Sequence, residues 1–570
     1  MGIWARTSRP GGFRVRYGVK AKNLNQISPS VATTLVHDNT GYVVLKDLKS
    51  DTKYHYEVVP AGQPKGIRGT FRTWPDAKKF RDKELNPKGL FNFRFEFACG
   101  NNQGTHSLGP KLPAFKTMLK KIKDKVHFAI LNGDWLYEDS REFSVKQWHK
   151  QVGITPKQTP ELVKLAPTIT GVWQNYKTYL ERGKPLSLWH RHVPSYYTLD
   201  DHEILNDVEG CGQTGFRARR TVFRDIGLQA WHDYIAWSNP TRFKQTAHFG
   251  KAKLKAGSDV LVDTNSDFTK LNLREMANLH IHWGTPDAGV NDAELDKKND
   301  GNPNSGVYAI VKVIDKNRLQ IKPPLRKNGE AVYSIGRRNY YRVRVSNCDF
   351  YFLDTRTHRQ KHDIKNPRKK GLTLLGKQQR EWLMDNMAKS DADFFFVVSS
   401  VNFVIPHVGA GGMAFAAADK DDAWTVFLDE RETLLNFWDK MKTPVFVLTG
   451  DLHNSFAIRI TDNVWEFASG PHNSRNHPAS AEGNRPATGK FNSRGRKCDV
   501  RWSTYFRNDT PYQLRHQPIY CVVQVNNVLN NPIIKGKDRW VAFPHPQVVF
   551  QYYNGFNGEL MYAEAVRTKR

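Results

Sequence analysis

Cysteine is scarce in this chain: five in 570 residues, at positions 99, 211, 348, 498 and 521. An odd, widely scattered set without paired finger spacing excludes a dense disulfide framework and zinc-finger modules. It leaves room for one or two bridges and at least one free thiol, for which Cys99 is the candidate. No apolar run approaches the roughly 18 residues that a membrane-spanning helix needs. The N-terminal MGIWARTSRP has no hydrophobic signal core, which predicts a chain that stays inside the cell or one whose leader has been removed. There is no Gly-x-Ser-x-Gly elbow, no Walker A loop and no His-Glu-x-x-His pair, so the common serine-hydrolase, P-loop and zincin chemistries are excluded. Carboxylates are in deficit, 56 Asp and Glu against 86 Lys and Arg, for a net charge of +30. Such a field attracts anions, or serves only to keep a large surface soluble. No RNP motif, finger spacing or heptad-backed basic region accompanies it, so no specific nucleic-acid motif is present.

What remains, 39% hydrophobic and 25% charged residues, is ordinary for a globular protein long enough for more than one domain. Residues 1–75 read as short alternating strands, Phe13–Tyr17, Gly41–Leu45 and Tyr54–Val59, broken by Pro and Gly. Tyr54 and Tyr56 follow a tight turn, where a sandwich domain places a tyrosine whose hydroxyl ties the turn to backbone. This predicts a small all-β, fibronectin-III-like sandwich over 1–75, a linker over 76–90 and a second domain over 91–570. In that second part, Phe93–Ala98, Val126–Leu131, Phe350–Leu353, Phe394–Val398 and Val445–Leu448 are continuous apolar runs, suited to strands buried on both faces. Gln378–Lys389 and Trp424–Trp438 carry apolar stripes at helical spacing. Strands interleaved with helices predict an α/β layered domain. Residues 240–340 are polar and poorly periodic, an elaboration or cap over the core.

Each apolar run ends in groups able to hold metal or phosphate: Cys99-Gly100-Asn101, Asn132-Gly133-Asp134, Asp354-Thr355-Arg356, Ser399-Ser400-Val401-Asn402 and Thr449-Gly450-Asp451-Leu452-His453. In open α/β sheets ligands bind beyond the carboxyl ends of strands, so five such endings predict one shared crevice. Gly before Asp lets the chain turn sharply and project a carboxylate from the strand end. A separate stretch, Asp200–Asp207, packs four carboxylates, His202 and Asn206 into eight residues, a costly cluster unless cations or hydrogen bonds balance it. Gly409–Gly412 reads as a flexible loop or a phosphate-facing nest. His280-Ile-His282-Trp283 reads as a strand with both imidazoles on one face, structural or part of a cap.

Phe-Ala-Cys99, Gly-Asp134-x-x-Tyr137, Asp-Asp201-His202-Glu, Leu-Asp354-Thr-Arg356 and Gly-Asp451-Leu-His453, in this order, resemble the alkaline phosphatase D (PhoD-like) family of metallophosphatases. QQREWL and DAWTVFLDERETLL resemble it too, so that the likeness runs through nearly the whole chain. The resemblance implies an α/β fold with a four-layer αββα metallophosphatase core, and hydrolysis of phosphate mono- or diesters by a metal-bound water or hydroxide at a two-metal site. It also implies a secreted or periplasmic protein with ferric iron and calcium, other divalent metals being open at the second position. Asp134 would bridge. Cys99, Tyr137 and His453 would complete one position, where thiolate and phenolate donors suit ferric iron. Asp201, Asn206 and Asp451 would complete the other, an oxygen set suited to calcium. His202 would contact the phosphate or protonate the leaving group, and Arg356 would clamp a phosphoryl oxygen or pair with Asp354. The family's usual small polar residue and Gln do not directly follow Cys99, and the metal-binding His of other metallophosphatases is absent around Ser400 and Asn402. The substrates would be phosphate esters, anionic polymers included. The alternative is a polyanion-binding or adhesion protein on a degenerate hydrolase fold.

Overall fold

A computed structural model describes residues 1–105, 107–139, 141–282, 302–408, 421–531 and 539–568. Near the N-terminus, Gly2–Arg6 pairs with Thr40–Val44, and Gly11–Gly18 is bordered by Gln26–Ile27, Val31–Thr33 and Lys53–Pro60, the last paired with Ile67–Arg72. Their inward residues Phe13, Val15, Tyr54, Tyr56 and Phe71 share one apolar cluster with Ile3 and Leu45. The Tyr54 hydroxyl accepts the Lys49 backbone N–H at 2.9 Å, tying the turn before its own strand. The stretch after Ile67–Arg72 is packed: the ring of Trp74 meets Phe128 at 5.0 Å and Phe80 meets Trp540 at 4.7 Å.

The rest is a mixed α/β fold built on two large sheets. In the six-stranded sheet, Ser195–Thr198, Phe128–Asn132 and Phe93–Ala98 run parallel, followed by antiparallel Ile519–Asn530, Trp540–Asn554 and Leu560–Arg567. In the eight-stranded sheet, Cys348–Phe352, Phe394–Val398, Val445–Thr449 and Val464–Ala468 form the parallel centre. Period-two alternation explains the continuous apolar runs. Phe128 and Ile130 face the layer between the sheets together with Phe95, Phe350, Phe396 and Phe446, whereas Ala129 and Leu131 face the helical side. Likewise Phe394, Phe396 and Val398 point inward, and Phe395 and Val397 point toward the other helices. Phe95 lies 5.3 Å from Phe350 and 5.4 Å from Phe396, ring to ring across the two sheets. Residues from Pro113–Lys121, Ile169–Arg182, Lys184–His190 and Arg224–Tyr234 cover the six-stranded sheet, and residues from Lys377–Ala388 and Leu428–Asp439 cover the other.

The described residues of 240–340 are more regular than their composition predicts. Within them six strands, His248–Leu254, Val260–Val262, Arg318–Lys322, Gly306–Asp315, Met276–Ile281 and Gly329–Arg337, close into a barrel with its own apolar core. Small inward residues hide the alternation: in His248–Leu254, Gly250, Ala252 and Leu254 are buried while Lys251 and Lys253 are exposed. His280 and His282 are both buried, paired with the Cys211 carbonyl and the Ser334 hydroxyl at 3.0 Å each. Burial lowers their pKa values to about 3 and about 4, so both are neutral struts. Trp283 and Gly409–Gly412 lie outside the described residues.

Candidate metal centre

The five strand endings converge. Asn132, at the end of its strand, donates its side-chain amide to the Ser399 carbonyl at 3.1 Å and the Leu448 carbonyl at 3.3 Å, so it joins the carboxyl ends of the two sheets. The next residues turn tightly. Gly133 has φ 79°, and a Cβ there would lie 2.6 Å from that of Asp200. Gly450 has no room either, because a Cβ would lie 2.7 Å from Cys99 Cβ. Asp134, Asp451 and His453 then adopt left-handed φ values of 55°, 62° and 52°, which non-glycine residues hold only when their surroundings enforce it. Glu203 supplies part of that enforcement. Its buried carboxylate accepts the backbone N–H groups of Asp134 at 3.2 Å, Trp135 at 2.7 Å and Asp200 at 2.6 Å.

Asp134 sits at the middle of the constellation, 1% exposed. Its Oδ2 accepts from the Tyr137 hydroxyl at 2.9 Å and lies 3.7 Å from His453 Nε2. Tyr137 Oη and His453 Nε2 are 2.6 Å apart, so these three predicted ligands meet directly. Oxygens of Asp134 and Asp201 and a ring nitrogen of His202 also lie within 4.8 Å of one another. The same reach joins Asp200, Asp201 and Asp451, then His407, Asp422 and Asp451, then Asp201, Asp207 and Asp422. Cys99, at the end of Phe93–Ala98, is buried, with its backbone N–H on the Ser469 carbonyl at 3.1 Å. All five cysteines are free and buried, Cys99 among them. Burial, then the charges of Asp134, Asp451 and Asp200, push its thiol well above the usual range. Burial and Asp134 do the same to the Tyr137 phenol.

The carboxylates cannot all ionise unaided. Burial drives the Asp134 carboxyl well upward, with Asp201, Asp200 and Glu203 adding to the effect against His202. Asp200 is raised by burial despite Arg356. Burial also opposes the charged form of His202, but Glu138, Asp201 and Asp134 outweigh it and raise the imidazole's pKa well above its ordinary value. Its Nδ1 bonds Glu138 at 2.7 Å and its ring lies 3.9 Å from that of Tyr137. His453 is instead lowered to about 3 by burial and by His202 and His407. Among the described residues, Asp134 Oδ1 and Asp200 Oδ2 are buried without a hydrogen-bond partner. Unpartnered buried carboxylate oxygens are costly and demand a positive ligand. With this mainly oxygen and imidazole donor set, they fit cations.

Arg356 and Asn206 have specific partners. Arg356 has no solvent exposure, and its guanidinium is held by Asp200 and, at 2.7 Å, by Asp422; the side-chain pairing with Asp354 gives way to these. A phosphoryl clamp at this position would have to break them. Asn206 donates its side-chain amide N–H to Asp207 at 3.1 Å. Sequence reasoning also missed three participants. His407 pairs through Nδ1 with Asp451 at 2.8 Å, so an imidazole does stand beside the carboxylates, further along than Ser400 and Asn402. Asp422 opens the family-like DAWTVFLDERETLL stretch but follows no apolar run. Asp200 was visible only as one of four clustered acids.

Comparisons with known proteins place the chain in a family. A sequence model of PhoD-like phosphatases matches residues 95–271 and 323–520, skipping part of the barrel. Alkaline phosphatase D of Bacillus subtilis (strain 168) is 32% identical over 122 residues, a stretch that covers 20% of this chain and 20% of that protein. The chain thus spans only about a fifth of that curated relative's length. A solved structure titled "Structure of PhoD" superposes over 98% of this chain and 88% of its own, with a TM-score of 0.53 at 15% identity, a likeness of fold. On the family match over most of its length, the chain belongs to the PhoD-like phosphatases.

Proposed function

We propose that the protein hydrolyses phosphate esters, monoesters, diesters or both, at a centre that holds two cations. The observation that carries this reading is Asp134, whose carboxylate is bonded to Tyr137, lies near His453 and is within 4.8 Å of donor atoms of Asp201 and His202, with a buried unpartnered Oδ1. One cation would be held by Asp134, Tyr137, His453 and Cys99, where sulfur and phenol donors favour ferric iron. The other would be held by Asp134, Asp201 and Asp451, with Asp200, Asp207, Asp422 and His407 in reach, a set suited to calcium. When bound, such cations supply Lewis acidity toward phosphoryl oxygens and water. The chain's own residues do the rest. Protonated His202, held through Nδ1 by Glu138, is placed to donate to the leaving oxygen. Arg356 orders Asp200 and Asp422, and Asn206 orders Asp207.

We assign this chemistry to residues 91–570, arranged as a four-layer αββα core with 240–340 as an elaboration, joined through 76–90 to a fibronectin-III-like sandwich over 1–75. The separate apolar clusters support the division. Action outside the cytoplasm, secreted or periplasmic, follows the family resemblance; among the described residues no helix is long and apolar enough to cross a membrane. Metal analysis together with turnover of p-nitrophenyl phosphate and bis-p-nitrophenyl phosphate tests the proposal. Cleavage of either, abolished by a chelator, is expected. A metal-loaded sample inert toward both would sink it.

A further inference from the structure

A cavity of about 720 Å³ is walled by the loop that runs from Gln360 to Leu372. Four lysines line it, Lys361, Lys365, Lys369 and Lys370, against two carboxylates, Glu209 and Asp363. Lys361 and Lys369 are partly neutralised, at 3.4 Å from Glu209 and 3.8 Å from Asp363. Lys365 and Lys370 have no ion-pair partner among the described residues, and both are exposed. The loop is pinned in shape. Gln360 N–H donates to the Thr373 carbonyl at 3.0 Å, and Thr373 N–H donates back to Gln360 Oε1 at 3.1 Å. The Pro367 carbonyl accepts the Leu428 N–H at 2.8 Å, and Lys361 N–H reaches Gln213 Oε1 at 2.9 Å.

We infer that this cavity is a second anion site, distinct from the carboxylate centre, that takes a phosphate-bearing ligand with several negative charges. Its volume is in the range of small-molecule sites. The lining has no aromatic residue except His362, so recognition would be by charge without ring stacking. Lysine ammoniums are point charges that donate to phosphate oxygens in many orientations. The site is also wired to the centre. His362 Nδ1, 2.8 Å from Glu209 in the wall, is 3.4 Å from Arg359, whose guanidinium holds Asp422 at 2.6 Å. Asp422 in turn lies within reach of Asp201 and Asp451. An anion in the cavity competes for this chain of charges and is felt at the carboxylates through Arg359.

The test is calorimetric titration of the full chain with tripolyphosphate, comparing metal-loaded wild type and Lys365→Ala/Lys370→Ala with Asp134→Asn as it is purified. The double lysine variant removes only exposed side chains, and its thermal melt should match wild type. Binding about tenfold weaker in that variant, restored by Lys365→Arg/Lys370→Arg and retained in Asp134→Asn, is expected from the loss of two screened surface charges. The binding claim stands apart from the hydrolytic reading, which can fail while this site survives. Only the source of the anion uses that reading. A KM raised for an abasic oligonucleotide but unchanged for bis-p-nitrophenyl phosphate identifies a neighbouring phosphate of the substrate. Unchanged KM values, with an effect of tripolyphosphate on rate that the lysine variant loses, identify a free effector. Equal tripolyphosphate affinity in wild type and the lysine variant, or binding that vanishes in Asp134→Asn alone, overturns the inference.

Discussion

Asp134→Asn separates the two things that the central carboxylate does. Asparagine keeps the shape and still accepts the Tyr137 hydroxyl, but it removes a charge that burial and neighbouring acids make unwelcome without a cation. In the metal-free protein the folded carboxyl holds its proton after the unfolded one has lost it, so stability falls as pH rises above about 4. Keeping that proton at pH 7 against an ordinary pKa near 3.9 costs up to about 4 kcal/mol, at 1.36 kcal/mol per pH unit. The variant escapes this cost. Stripped of metal, it should be as stable as wild type at pH 4 and more stable at pH 7, by an amount bounded by that figure. With metal supplied, the sign reverses: wild type gains stability from binding, and the variant loses both metal and hydrolysis. Urea unfolding at pH 4 and pH 7, with and without chelator, reads both halves. A metal-free variant less stable than wild type by more than about 1 kcal/mol at pH 7 would show that the carboxylate is an ordinary structural acceptor. Retention of metal and turnover would refute the bridging role.

Arg356→Met should leave Asp200 without its buried cation and Asp422 with Arg359 alone, a loss of about 3–5 kcal/mol by the usual penalty for breaking a buried pair; a chemical denaturation curve unchanged from wild type would contradict its assignment to ordering the carboxylates. Cys99→Ser should retain the fold and change which metal co-purifies, and a visible charge-transfer band, if iron is bound, should shift; destabilisation with an unchanged metal profile would make Cys99 a packing residue.

The strand endings were legible because a metal-binding carboxylate on a sheet needs a recognisable local grammar: an apolar run, a glycine that tolerates a crowded or left-handed turn, then the acid. Asp134 and Asp451 both obey it, and Gly133 and Gly450 are the residues whose Cβ atoms would collide with Asp200 and Cys99. The barrel was illegible because its inward positions include glycine and alanine, too small to register as hydrophobic alternation. His407 and Asp422 were illegible for another reason. Neither follows a strand directly, and each gains its meaning from a partner remote in the chain: Asp451 is 44 residues from His407, and Asp422 is joined to Asp200 through Arg356.

Sequence alone therefore determined the chemistry on offer: which donors exist, which strands carry them, and that their spacing matches one family. Local rules suffice for that, since a residue's place at a strand end depends on its immediate neighbours. Only the tertiary structure decided how the charges are shared out. It set Arg356 beneath the carboxylates, brought His407 to Asp451 and walled a cavity with lysines. Electrostatic partners are chosen by distance through space, and packing two sheets face to face brings together residues that the chain itself keeps far apart.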